Sequence, residues 1–192
     1  MWEKTKEKLK IFFSAKTSNN LVFIIVLSCV IILAIIIDQI TKAIISSTME
    51  DGQSIPIIKH VLHMTYIKNE GAAFGMFANH RWVFMVISTI AILAIGVYLF
   101  GFCKETRFIK IGLAMIIGGG IGNMIDRVIL GYVVDMIHNP FVKYYNFNVM
   151  QLEEFPIYNI ADSCVCVGAA IIFIGILVSA IVEKKQEAKE EK

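Results

Sequence analysis

Four long apolar stretches, separated by polar segments, dominate this sequence. They run from about residues 21 to 42, 82 to 103, 108 to 129 and 160 to 182. Each stretch is close to the ~20 residues that an α-helix needs to cross ~30 Å of hydrocarbon. The pattern predicts an integral membrane protein built as a bundle of four transmembrane helices.

The segment between the first two spans, residues 51–80, follows a different pattern. Residues 53–58 and 63–67 are rich in β-branched and aromatic side chains, which is typical of short strands. Asn69-Glu70-Gly71 is a turn signal. We therefore expect a small β-sheet on the outer surface of the membrane.

Composition and charge set the class of protein and its orientation. Hydrophobic residues make up 57% of the 192 residues and the mean hydropathy is +0.69, which is too high for an ordinary soluble domain. If both termini are cytoplasmic, twelve of the 18 Lys and Arg residues lie on the inside, as the positive-inside rule favours. We expect a single membrane domain over residues 1–192, with a charged cytoplasmic tail at 183–192.

Four aspartates lie near the ends of apolar spans: Asp38, Asp126, Asp135 and Asp162. Ionisable groups at membrane depth are rare and usually functional. The predicted orientation places all four on the external side, and we interpret Asp135 and Asp162 as lying at the ends of apolar helices. If these two carboxylates converge, they cannot both ionise easily, so one can act as a base and the other as an acid. The alternative is that Asp162 only caps the fourth helix.

The end of the third span carries further polar residues. Asn123, Asp126 and Arg127 fall on one helical face, and we interpret Asp126 and Arg127 as a structural ion pair or interface anchor with Asn123 as a hydrogen-bond partner. Gly118 and Gly122 have the spacing of a helix-packing motif. The Pro-containing aromatic segment 136–158 predicts an external loop or short amphipathic element that lies over the site.

Several other chemistries lack their motifs. There is no His-Glu-x-x-His metal motif, no Gly-x-Ser-x-Gly elbow and no phosphate-binding loop ending in Gly-Lys-Ser or Gly-Lys-Thr. The four cysteines have no zinc-site spacing. We therefore expect no metal, no cofactor and no nucleic-acid partner.

Five sequence blocks resemble the bacterial lipoprotein signal peptidase (signal peptidase II) family. In chain order they are Asp38-Gln39-Ile40-Thr41-Lys42, Asn69-Glu70-Gly71-Ala72-Ala73-Phe74-Gly75, Gly122-Asn123-Met124-Ile125-Asp126-Arg127, Gly131-Tyr132-Val133-Val134-Asp135 and Tyr158-Asn159-Ile160-Ala161-Asp162-Ser163. Any one block is weak evidence, but five in this order on a four-span protein are highly specific.

The resemblance implies an aspartic endopeptidase that removes the signal peptide from diacylglyceryl-modified prolipoproteins, on the amino side of the lipidated cysteine. It implies four helices with an external β-cradle, and a catalytic pair formed by Asp135 and Asp162. Residues at family positions that support the site or bind substrate are Asp38, Lys42, Asn69, Gly71, Asn123, Asp126, Arg127 and Asn159. The expected partners are prolipoproteins and membrane lipid, and we expect the enzyme to act as a monomer.

Two features depart from the family, and two alternatives stay open. The segment between Asp135 and Asp162 is longer than in many members, and Tyr158 stands where Phe is common. A small proton-coupled transporter could use clustered aspartates as a relay, although no internal repeat is visible and the aspartates gather at one edge. A structural membrane protein with acidic helix caps is the third reading.

Overall fold

The computed structural model describes residues 20–70, 81–141 and 155–190. Four helices in these ranges are long and apolar enough to cross a membrane, which confirms the predicted fold class. The helices are α1 (Leu21–Thr48), α2 (Arg81–Val97, followed by a π-helical turn at Tyr98–Phe102), α3 (Arg107–Ile129) and α4 (Ile160–Glu190). The strands are β1 (Ser54–Ile58), β2 (Leu62–Asn69) and β3 (Val133–His138).

Three element boundaries differ from the predictions. α1 continues six residues past residue 42 to Thr48, and α4 continues through the charged tail to Glu190. The interpretation of Asp135 as a helix-end residue is wrong, because it lies within β3. Gly131, with a φ of 86°, follows the end of α3, so the apolar run after it begins a new extended element. The predicted loop therefore starts after His138. The predicted site residue Gly71 lies outside the described residues, as do the rest of 71–80 and residues 142–154 of the predicted loop.

Glycines on α3 allow the other helices to approach it closely. A Cβ atom at Gly118 would lie 2.7 Å from Ala34 of α1, and one at Gly122 would lie 2.6 Å from the Asp38 carboxylate, also on α1. A Cβ at Gly119 would collide with the backbone carbonyl of Ala161 at the start of α4. These contacts confirm the predicted packing role of Gly118 and Gly122. They make α3 the central helix. Of the residues in its apolar membrane-spanning stretch, 44% are buried, compared with 6% in that of α2.

Replacement of Gly119 by Ala is expected to destabilise the protein by roughly 1–3 kcal/mol, because α3 and α4 must separate to make room for the methyl group. Gly96 on α2 is the matched control, since nothing lies within 4 Å of a Cβ there. Gly96→Ala should leave stability unchanged or raise it slightly. Thermal unfolding in detergent measures both, and equal midpoints for the two variants would contradict the close approach of α3 and α4.

The three described strands form one antiparallel sheet in the order β1-β2-β3. Buried apolar side chains attach this sheet to the last turns of α1: Ile45, Met49, Tyr66, Val134 and Met136. In the β2–β3 register, Ile67 lies opposite Asp135 and Asn69 lies opposite Val133. The sheet therefore holds Asp135 near the end of α1, close to Asn69 on the neighbouring strand.

Candidate active site

A single residue, Asn159, bridges the two aspartates that the sequence singled out. Its side-chain Nδ2 donates a hydrogen bond to Asp135 Oδ1 at 2.7 Å, and its backbone N–H donates to Asp162 Oδ2 at 3.1 Å. Asn159 is completely buried, so its bond to Asp135 is shielded from water, while its bond to the half-buried Asp162 is partly shielded. The structure thus brings together two carboxylates from a strand and a helix that are 27 positions apart in the chain.

Backbone contacts explain why β3 and the start of α4 meet. The backbone N–H groups of Met136 and Ile137 donate to the carbonyl of Tyr158, and the N–H of Tyr158 donates back to Ile137 at 3.1 Å. Tyr158 immediately precedes Asn159, so this bridge places the bridging asparagine beside the strand that carries Asp135. The positions of both aspartates are consequently set by main-chain bonds, which hold side chains in narrow limits.

Asp162 lies in the first turn of α4, where Asn159 is the N-cap. The Asn159 Oδ1 accepts a hydrogen bond from the Asp162 N–H at 2.9 Å, while Asp162 Oδ2 accepts from the Asn159 N–H. This is a reciprocal capping box, so the capping role considered from the sequence is present. The remaining oxygen, Oδ1, accepts a bond from Asn123 Nδ2 at 2.7 Å. Asp162 therefore both caps α4 and belongs to the aspartate pair. Its negative charge lies at the helix N-terminus, where the helix dipole favours it.

Asp135 receives two side-chain amide donors and is almost completely buried. Asn69 Nδ2 donates to its Oδ2 at 2.8 Å, and Asn159 Nδ2 donates to its Oδ1. Its exposed fraction is 3%. Burial is the largest influence on this carboxyl group and raises its pKa to about 6, with the negative charge of Asp162 adding to the effect.

A buried ionic network is connected to the aspartate pair through Asn123. Lys42 Nζ lies 2.8 Å from Asp38 Oδ2, 3.0 Å from Asp126 Oδ2 and 2.8 Å from Asn123 Oδ1. All three charged groups are at most 3% exposed. Lys42 therefore fixes the amide of Asn123 with its oxygen toward the lysine and its nitrogen toward Asp162. Asn123 Oδ1 also accepts a hydrogen bond from Asn159 Nδ2 at 3.0 Å, which reinforces that orientation.

Asp126 has other partners than the sequence indicated. Its Oδ2 pairs with Lys42 and accepts the backbone N–H of Val134 at 3.0 Å, so the proposed ion pair with Arg127 was wrong. Arg127 instead donates from Nη1 to the Asn123 carbonyl at 3.2 Å. The reason is geometric, because adjacent helix positions do not face each other. Asp126 therefore connects α3 to β3 through its hydrogen bond with the Val134 N–H.

Three supporting hydrogen bonds were missed from the sequence. Gln39 Nε2 donates to Asp126 Oδ1 at 2.9 Å and to the Gly122 carbonyl at 3.1 Å. Asp38 Oδ1 accepts the backbone N–H of Ala161 at 2.9 Å, in the first turn of α4. Gln39 adjoins Asp38 in the first sequence block, and its polar side chain within an apolar span was the signal that could have found it.

Comparisons with known proteins give the family of this chain. The family model described as Signal peptidase (SPase) II matches residues 30–178, which is most of the chain. The chain belongs to the signal peptidase II family. It is therefore a membrane-spanning hydrolase of the protease class, and the transporter alternative has no support.

Individual relatives of this signal peptidase II chain show the same relationship. The lipoprotein signal peptidase of Bacillus subtilis (strain 168) is 40% identical over 156 residues, covering 81% of this chain and 96% of the relative. That of Halalkalibacterium halodurans is 39% identical over 163 residues, covering 85% and 96%. Two solved structures described as a bacterial membrane enzyme share 32% identity over 85% of this chain, with TM-scores of 0.71 and 0.69, and are themselves covered over 92% and 96%.

The buried Asp135 of this signal peptidase II predicts a pH-dependent stability. A carboxyl whose pKa rises from 3.8 to about 6 on folding stabilises the native state fully below pH 3.8, and this contribution is lost as the pH rises through 6. The loss amounts to roughly 3 kcal/mol. In Asp135→Asn, thermal midpoints measured from pH 4 to 8 should therefore fall less steeply with pH than in the wild type. Parallel curves for the two proteins would contradict the buried, protonatable carboxyl.

Proposed function

We propose that this chain is an aspartic endopeptidase that cleaves the signal peptide from diacylglyceryl-modified prolipoproteins, on the amino side of the lipidated cysteine. The observation that carries the proposal is the bridge through Asn159, which joins Asp135 and Asp162 by hydrogen bonds of 2.7 and 3.1 Å. Two carboxylates in one hydrogen-bonded site are the equipment for acid–base hydrolysis of an amide. Relatives that are named lipoprotein signal peptidases support the substrate class.

The two environments assign different starting roles to the aspartates. Asp135 is the buried member and burial raises its pKa, so the proposal assigns to it the proton that the reaction needs. Asp162 lies at the N-terminus of α4 and accepts two hydrogen bonds, which stabilise its negative charge. Asp162 is consequently the general base, and Asp135 is the hydrogen-bond donor to the scissile carbonyl.

The reaction then follows from these roles. Asp162 removes a proton from a water molecule, and that water attacks the scissile carbonyl carbon. Asp135 donates a hydrogen bond to the carbonyl oxygen, which stabilises the negative charge of the tetrahedral intermediate. The C–N bond breaks as the proton held by Asp162 passes to the leaving amine. No metal or other cofactor takes part in this sequence of steps.

The membrane contributes orientation. We propose that both termini are cytoplasmic, because most Lys and Arg residues then lie inside, and that the aspartate pair faces the extracytoplasmic side of the bacterial cell membrane. A lipidated cysteine is held at the same interface by its acyl chains, so the scissile bond and the pair share one depth. The chain acts as a single domain and a monomer in this proposal, with prolipoprotein and membrane lipid as its partners.

A gel-shift cleavage assay tests the proposal. Purified wild-type protein in detergent is incubated with a diacylglyceryl-modified prolipoprotein and with the same precursor lacking the lipid. We expect cleavage of the lipidated precursor alone, with the new amino terminus at the modified cysteine. If folded wild-type protein fails to cleave a precursor whose lipidation is confirmed, the proposed function is wrong.

A further inference from the structure

A pocket lies between three helices at the end of the bundle opposite the aspartate pair. It has a volume of about 370 Å³. Its walls come from the π-helical turn after α2, the start of α3 and the last turns of the membrane-spanning part of α4. The lining includes Tyr98, Glu105, Leu113, Ile172, Ser179 and Glu183. π-Helical turns are frequent at functional sites, which makes this pocket a candidate for a second binding site.

The pocket has an apolar inner part and an acidic rim. Leu113 and Ile172 lie toward the middle of α3 and α4. Glu105 directly precedes the N-cap of α3, and Glu183 lies at the end of the membrane-spanning part of α4. The Ser179 hydroxyl, in the wall of the pocket, is buried and has no hydrogen-bond partner among the described residues. Because buried polar groups are nearly always hydrogen-bonded, this hydroxyl indicates a ligand that supplies the partner.

The rim favours a cation. The basic side chains that lie near its two carboxylates in sequence are Lys104, Arg107, Lys110 and Lys184, and none of these four lines the pocket. Arg107 and Lys110 instead lie over the Phe23 ring of α1, at 5.5 and 6.0 Å from its centre. An aliphatic stem with a cationic end, as in Lys and Arg, matches an apolar pocket with an acidic rim. A phosphate or another anionic group is repelled there.

The pocket and the aspartate pair are one membrane thickness apart. Glu183 follows Asp162 by 21 positions on α4. At ~1.5 Å per residue this separation is ~32 Å along the helix axis, and the hydrocarbon core is ~30 Å thick. A ligand that reaches both sites must therefore itself cross the membrane.

One exposed face of α4 connects the two sites. Positions seven apart in a helix differ by only ~20° around the axis, and Asp162, Ala169, Ile176 and Glu183 follow at this interval. Glu183 is therefore rotated by only ~60° from Asp162. Ala169 and Ile176 are exposed, and the small side chain of Ala169 allows another helix to approach closely.

A signal peptide has the length and the charge that these two sites require. It carries a positively charged n-region, then an apolar h-region, and the cleavage site follows. A helical signal peptide of ~20 residues extends ~30 Å. A scissile bond at Asp162 therefore places the n-region at the level of Glu183.

We propose that the pocket binds a Lys or Arg side chain of the signal peptide n-region, with its cationic group at Glu105 and Glu183 and its stem against the apolar wall. The proposal rests on the proposed function, because it needs a signal peptide as substrate. It makes the pocket a specificity-determining subsite ~30 Å from the bond that is cleaved.

Removing the acidic rim tests this proposal. Glu105→Gln combined with Glu183→Gln keeps the size of both side chains. Glu50→Gln combined with Asp51→Asn is the matched control, because it removes two exposed carboxylates at the other end of the bundle. Each protein is assayed in a nonionic detergent with two diacylglyceryl-modified precursors, whose n-regions contain either two Lys or two Gln residues. We expect the wild type and the control to have about fivefold lower KM for the Lys precursor, and the rim variant to lose this preference.

A charge exchange gives a second measurement. Glu105→Lys combined with Glu183→Lys should reverse the preference, so that a lipidated precursor with two Glu residues in its n-region is cleaved with lower KM than the Lys precursor. A purely structural role of the two glutamates cannot produce this reversal, and its absence in a folded variant would count against the proposal.

The remaining outcomes are distinguishable. If the wild type cleaves the Lys and Gln precursors equally, or if the rim variant keeps the preference, the pocket does not bind the n-region. An equal loss on both precursors in the rim variant would overturn the proposal, because the glutamates would then support the fold. A difference between the rim variant and the wild type that arises only when phosphatidylethanolamine is added would assign the pocket to a lipid amine instead. If folded wild-type protein cleaves neither lipidated precursor, the proposed function itself fails.

Discussion

Asp135→Asn is expected to lower kcat/KM for the lipidated precursor by about 10³-fold or more, and Asp162→Asn should have a similar effect. Each substitution keeps the size of the side chain but removes its ability to accept or donate the catalytic proton. The protein should remain folded, since Asn159 and the main-chain bridge at Tyr158 still hold β3 and α4 together. The cleavage assay, with abundance in the membrane as a parallel measurement, gives the result.

The double variant sharpens this prediction. If the two carboxylates act as one unit, Asp135→Asn with Asp162→Asn should lose about as much activity as either single change. Multiplied losses would show that the two residues act independently. Asp51 provides the control, because it is 49% exposed and its ion pair with Lys68 is long at 3.8 Å. Asp51→Asn should leave cleavage unchanged, and full activity in either dyad variant would remove that residue from the pair.

Lys42→Met is expected to destabilise the protein by about 3–5 kcal/mol, because it leaves Asp38 and Asp126 as uncompensated buried charges. The change also removes the contact that orients Asn123 toward Asp162, so activity should fall with stability. Thermal unfolding in detergent and the amount of membrane-inserted protein measure the effect. Lys68→Met is the matched control, since its exposed pair with Asp51 contributes at most about 1 kcal/mol.

A rescue experiment separates charge from packing. Combining Lys42→Met with Asp38→Asn and Asp126→Asn removes the buried charges together, and this triple variant should regain much of the lost stability. Its cleavage activity should stay low, because the Asn123 amide is still without its lysine. If the triple variant is less stable than Lys42→Met alone, the hydrogen bonds of the two carboxylates, and not the unpaired charge, account for the loss.

The sequence predicted the residues of the site better than their partners. The five motif blocks contain both aspartates of the pair and the described residues of the supporting network, including Gln39, which was not predicted as a site residue. It could not show that Asp126 pairs with Lys42, because these residues are 84 positions apart and no local pattern connects them. Arg127 was predicted as the partner of Asp126 because it is the nearest cation in sequence, but the two side chains do not pair.

The strand β3 was missed for a related reason. A run such as Val133-Val134-Asp135-Met136-Ile137 is equally compatible with a short buried strand and with a helix end. Pairing with β2 and packing of Val134 and Met136 on α1 decide between them, and both are contacts with distant parts of the chain. The placement of Asp135 opposite Ile67 depends on that pairing.

By itself, the sequence determined the four membrane spans, the presence of strands between the first two and the residues proposed to carry the chemistry. These properties follow from apolar length and from local composition, which each segment expresses alone. The tertiary structure alone decided that α1 lies against α3 closely enough for Lys42 to reach Asp126, and that Asn159 bridges Asp135 and Asp162. Those contacts require helices packed through glycines and a sheet attached to α1, and only the folded chain brings such distant segments together.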